Sequence, residues 1–236
     1  MRGHLGILFI AASLTAVPAG LLMAHGGGAM PSSSPGAGSS ALRTPEEMAR
    51  SAYNSGIHSI KKAQEYDADA AKASTPEKIA KARDKAQKYY HDSLPDFIDA
   101  VRQQPTMYEA WNYLGYASRH LGRYDDALAA YNKALEINPK YSNAIEYRGE
   151  AYLGLNKLED AKAAYMTLFA DSRPLADELM AAMRRWADAR RQDSQGLSTE
   201  DLDAFAKWMD ERSGIAAQTA SLAIGSRGTH ASKPWE

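Results

Sequence analysis

Shifted by 34 residues, the chain falls onto itself: Gly115 lands on Gly149, Ala127 on Ala161, Tyr131 on Tyr165 and Pro105 on Pro139. Phe97 likewise matches Tyr131, and Ala100 matches Ala134. A period of that length holds two helices and their turns, and such a unit buries its apolar face only against neighbours. The chain is therefore constrained to a stack of helical hairpins. Small residues at 115, 127, 149 and 161 let paired helices approach closely, and the large Trp111, Tyr131 and Tyr165 fill the gaps between one hairpin and the next. Pro139 stops a helix and sets the turn into the following unit. Helix starts recur elsewhere. Thr44-Pro45-Glu46-Glu47 offers a hydroxyl cap, proline at the first helical position and a carboxylate three residues on. Thr75-Pro76-Glu77 and Ser198-Thr199-Glu200-Asp201 repeat the pattern, and no stretch alternates as a strand would. The fold class is all-α.

Residues 108–141 resemble a tetratricopeptide repeat, with Trp111, Leu114, Gly115, Gly122, Ala127, Tyr131, Ala134 and Pro139 at the family's positions. Residues 142–171 resemble a second copy through Gly149, Tyr152, Ala161 and Tyr165, but Ile145, Arg148 and Leu168 depart from the pattern, and Pro174 falls one place late. The resemblance implies a helical-hairpin solenoid. Two repeats alone bury too little, so the flanks must contribute. Upstream, 91–104 aligns with a second helix that has Pro95 in its first turn, and 44–72 supplies Tyr53, Gly56 and Ile60 as its partner. About 25 residues are inserted between them relative to the 34-residue unit. Residues 44–104 are thus expected to form one elongated hairpin, its tip pairing Glu65, Asp67 and Asp69 with Lys78, Lys81 and Lys85. Downstream, 174–213 reads as a degenerate capping hairpin carrying Leu175, Leu179, Met183, Trp186, Leu202, Phe205, Trp208 and Met209. The repeat domain spans 44–213.

The ends differ in kind. Residues 1–24 hold Arg2 as their only formal charge and are nearly all apolar from Leu5 onward, the pattern of an export signal with cleavage after Ala19 or Ala24. A retained anchor over 5–24 is the competing reading. Residues 25–43 are rich in Gly, Ser and Pro and read as a flexible linker, and 214–236 read as a disordered tail.

Charge and composition exclude several function classes. With 28 Lys and Arg against 29 Asp and Glu, the chain lacks the positive surplus of a nucleic-acid binder. It has no cysteine, so thiolate catalysis, cysteine-ligated zinc and lipid attachment to cysteine are ruled out. No HExxH pair, phosphate loop or GxSxG motif is present, and the histidines at 4, 25, 58, 91, 120 and 230 lie far apart. No catalytic residue, metal site or cofactor is expected. The acid pairs Asp125-Asp126 and Glu159-Asp160 are assigned to capping of the second helices.

In solenoids of this family, partner peptides commonly lie along the first helices of the repeats. The resemblance carries that role to Glu109, Asn112, Tyr116, Arg119 and His120 in one repeat and to Asn143, Glu146, Glu150 and Leu153 in the next. The two glutamates would repel a carboxylate, so the expected partner is a protein or peptide carrying a basic or amide group. Replacing Tyr116 and Glu150 by alanine is expected to abolish capture without touching the fold. The reading is an exported, non-catalytic interaction module, with the bacterial periplasm as its expected compartment and membrane contact only if 5–24 is retained. The alternative is a self-assembling envelope component that uses the elongated and terminal hairpins, with Trp186 and Trp208 partly serving association.

Overall fold

Thr44 opens the described structure as its sequence requires. Its hydroxyl accepts the Glu47 N–H at 3.2 Å while the Glu47 carboxylate accepts the Thr44 N–H at 2.9 Å, a reciprocal capping box. The computed structural model describes residues 43–228; the expected export signal, nearly all of the expected linker and residues 229–236 lie outside them. Eight helices fill the described residues: α1 (Pro45–Lys72), α2 (Pro76–Gln103), α3 (Tyr108–His120), α4 (Tyr124–Ile137), α5 (Ser142–Gly154), α6 (Leu158–Asp171), α7 (Arg173–Gln192) and α8 (Thr199–Gly228). Each packs on the next in the chain, as a solenoid demands, while α3 also packs on α5 and α5 on α7. The first helices of successive hairpins therefore form one continuous layer. Among the described residues no helix is long and apolar enough to cross a membrane.

The repeat is visible in its packing. A Cβ on Gly115 would lie 2.6 Å from the Tyr131 ring, and one on Gly56 would lie 2.7 Å from Phe97, so both hairpins close around an aromatic ring laid on a glycine. Tyr131 thus packs within its own hairpin, against Gly115, as well as approaching Tyr147 of the next at 6.3 Å. Gly149 departs from the pattern, meeting Leu179 of the capping hairpin. The turns obey the period too. Gly122 has φ +71° between α3 and α4, and Asn156, the equivalent residue between α5 and α6, has φ +57°. Glycine and asparagine are the residues that tolerate this left-handed conformation.

Four details differ from the sequence reading. First, α2 runs unbroken through Pro95, which sits deep inside a 28-residue helix rather than in a first turn. Packing along the whole of α1 holds α2 together at a position where proline donates no helix bond. Second, no ion pair joins the two arms of the hairpin among the described residues. Glu65 bonds Lys62 on its own helix at 2.9 Å, Asp67 accepts the Tyr90 hydroxyl at 2.6 Å, and Lys85 lies 4.7 Å over the Tyr66 ring. Third, α4 and α6 have no side-chain cap bond; their paired acids act on the helix dipole, and Glu159 also bonds Lys162 at 2.7 Å. Fourth, α8 continues to Gly228, past the expected start of the tail. The stretch 216–223 holds four alanines, the best helix former. Arg173 ties α8 back by donating to the Ala216 carbonyl at 3.3 Å and to the Thr219 hydroxyl at 3.4 Å.

The capping hairpin closes the largest apolar cluster, in which Leu168, Leu179, Met183 and Phe205 are wholly buried. Trp186 and Trp208 pack inward against Phe205, with ring centroids 5.7 Å and 6.2 Å away.

Candidate functional site

Residues 34 apart in sequence occupy equivalent places on α3 and α5, so Asn112 pairs with Glu146, Tyr116 with Glu150 and Arg119 with Leu153. The structure brings five of the nine expected residues around one hollow of about 370 Å³. Tyr116, Arg119 and His120 come from α3, and Glu146 and Glu150 from α5. Tyr147 joins them, and α7 closes the far side with Glu178, Ala181 and Arg185. A second hollow of about 290 Å³ shares Arg119, His120, Glu150 and Arg185 and continues past Leu153 to Trp186 and Arg190.

Charge in the hollow is largely committed. Arg119 Nη1 meets Glu150 Oε2 at 2.6 Å, with both side chains mostly buried. Burial opposes the Arg119 charge, but Glu150 outweighs it and holds the guanidinium above its ordinary pKa. Arg119 also lies 5.3 Å from the Tyr116 ring and 5.6 Å from that of Tyr147, which stand edge-to-face at 5.0 Å. His120 stacks on Tyr90 at 4.2 Å. Burial, reinforced by Arg119, pulls its imidazole down to about 3, so the ring is neutral at physiological pH. Glu146 is only 3% exposed, and its Oε2 is buried without a hydrogen-bond partner. Burial, then the repulsion of Glu150, pushes its carboxyl up to about 8. At neutral pH, Glu146 is mainly a protonated acid.

The elongated hairpin supports this wall. Gln64 of α1 donates to the Tyr116 hydroxyl at 3.1 Å, and Gln87 of α2 donates to the His120 carbonyl at 2.8 Å. Tyr116 is only 8% exposed, among Tyr90, Tyr113, Tyr147 and His120. It is a packing residue with one edge in the hollow, so its removal does touch the fold. Asn112 is buried, with both amide atoms unpartnered, and lies outside the residues that line the hollow. Leu153 is core, Asn143 is exposed at the start of α5, and Glu109 lines a separate hollow with Arg50, Tyr53, Asn54 and Met107. Sequence reasoning missed Glu178, Ala181 and Arg185 because α7 lacks the repeat motif that marks such positions. Their spacing of three and four residues along one helix was the available signal. Among the described residues, no cluster of three or more His, Asp or Glu is placed to hold a metal ion.

One tetratricopeptide-repeat family model matches residues 78–142 and another matches 118–186. Among solved structures, the chain is similar to a crystal structure of MamA, at 19% identity and a TM-score of 0.40 over 72% of this chain and 93% of that one. A second crystal structure of the MamA protein gives 19% identity and a TM-score of 0.39 over 73% and 95%. No curated protein matches the chain. Tetratricopeptide repeats are in general interaction modules that bind other proteins or peptides rather than catalyse reactions. Residues 78–186, which include the Gly115–Tyr131 contact, are thus a tetratricopeptide-repeat segment of this chain.

Proposed function

We propose that this chain is an exported, non-catalytic scaffold that captures a segment of a partner polypeptide in the hollow between α3, α5 and α7. The buried Glu146 Oε2 carries the reading: a polar atom left unpartnered beside an open hollow costs about 1–3 kcal/mol, which a bound segment would recover. The surrounding walls are held rigid by the Arg119–Glu150 pair and the tyrosine contacts, so a segment would meet a preformed surface. Export rests on the charge-poor apolar stretch within residues 1–24, followed by the Gly-, Ser- and Pro-rich residues 25–43.

The test uses peptides selected from a random 12-residue display library against the full chain. Ala181 is exposed on α7 and lines the hollow, so Ala181→Trp fills the space without disturbing the core. That substitution is expected to weaken binding of the selected peptides at least tenfold while leaving far-UV circular dichroism and Tm unchanged. Undiminished binding to Ala181→Trp would place the capture surface elsewhere.

A further inference from the structure

The hollow holds three carboxylates, Glu146, Glu150 and Glu178, against two guanidinium groups, Arg119 and Arg185. Glu150 and Arg119 neutralise each other at 2.6 Å. Of the rest, Glu146 is buried, whereas Glu178 and Arg185 are exposed at the mouth. None of the ion pairs among the described residues includes Glu146, Glu178 or Arg185. With Glu146 ionised, the set therefore carries one uncompensated negative charge, buried in a hollow that is also lined by two tyrosine rings lying near a guanidinium.

We infer that this hollow is a cation subsite, taking the ammonium or guanidinium of one lysine or arginine side chain from the captured segment, with Glu146 as its counter-ion. The inference rests on the groove reading above and specifies the chemistry of the occupant. A carboxylate would face Glu146 across a low-dielectric space and is rejected. A neutral amide would bond Glu146 but leave the aromatic walls without the charge that they favour. A single cation neutralises the set, partners the orphaned Oε2 and lies against the tyrosines.

Occupation moves one proton. In the empty hollow Glu146 is protonated, held so by burial and by Glu150. On entry of the cation, the Glu146 O–H bond breaks, the proton leaves to solvent and the carboxylate pairs with the incoming charge. The groups facing Glu146 do not obscure this exchange. The charged groups that line the hollow with it are Arg119, Arg185, Glu150 and Glu178, and His120 beside them is neutral at physiological pH. Binding is accordingly tighter at higher pH and levels off above about 8.

The experiment takes peptides selected by display at pH 8.5 against the full chain and measures them by calorimetry. The expected peptides share a lysine or arginine at one register position, and exchanging it for norleucine weakens binding tenfold or more. Glu146→Gln, a near-isostere, is expected to lose a similar factor and to gain nothing further from the norleucine exchange. Wild-type affinity should drop roughly tenfold from pH 8 to 6.5, with the released proton seen as a buffer-dependent heat. Unchanged affinity on either substitution, in peptides still blocked by Ala181→Trp, would overturn the cation subsite and leave the groove reading intact. Peptides indifferent to Ala181→Trp would overturn the groove reading itself.

Discussion

Tyr131→Ala is expected to lower the free energy of unfolding by about 3–5 kcal/mol, the range for deleting a fully buried aromatic side chain. Tyr131 has no exposed surface, lies on Gly115 within its own hairpin and approaches Tyr147 in the next. Its loss therefore opens a cavity at two interfaces, and in an array held by nearest-neighbour contacts both repeats weaken together. Gly115→Ala attacks the same contact from the other side. The new methyl would stand 2.6 Å from the ring, so the helices must separate, at a cost of about 1–3 kcal/mol. In the double variant the methyl enters the space that the ring has left, and the combined loss should fall short of the sum. Urea denaturation of the four proteins reads all three values. A loss below about 1 kcal/mol for Tyr131→Ala would mean that the glycine-on-ring contact does not hold the hairpin.

Stability should also show an unusual pH profile: a plateau between about 4.5 and 6.5, with a decline on each side. Glu146 is raised to about 8 from an ordinary 4.5, so between those values the folded chain keeps a proton that the unfolded chain has lost. Its contribution is full below 4.5 and is lost as pH rises to 8. His120 is lowered to about 3 from an ordinary 6.5, so the folded ring has shed a proton that the unfolded chain still holds. Its contribution is full above 6.5 and is lost as pH falls towards 3. From 4.5 to 6.5 the two slopes cancel. Above 6.5 only Glu146 acts, and raising pH to 8.5 should cost at most about 2 kcal/mol. Glu146→Gln removes that decline and leaves stability flat on the alkaline side. A stability maximum near pH 8, or an alkaline decline that survives in Glu146→Gln, would contradict the burial of a protonated acid.

How much of this was legible in the sequence depended on whether a feature is local or tertiary. The repeat register, the Thr44, Thr75 and Ser198 starts and the long first hairpin follow from spacings within a helix or a turn, and all appear in the structure. The Gly122 and Asn156 turns share one conformation for the same reason. Glu146 is different. Its place on α5 follows from the repeat, but its burial and protonation depend on the arrival of α7, which carries no repeat signature. The same dependence hid Glu178 and Arg185. Tyr116 was expected to face a groove, but Gln64 and Tyr90 reach it from helices lengthened by the insertion, and it became part of the wall. The continuation of α8 was masked by its small residues, which fade from any hydrophobic pattern although alanine is the strongest helix former among them.

Amide hydrogen exchange of the full chain, with and without a selected peptide, tests the central claim most directly, since it locates the captured segment without altering the protein. Exchange is expected to slow in α3, α5 and α7, concentrated around residues 116–120, 146–150 and 178–185, with α4, α6 and the hairpin tip near residues 66–85 unchanged. Protection confined to the tip, or to α4 and α6, would contradict capture in the hollow.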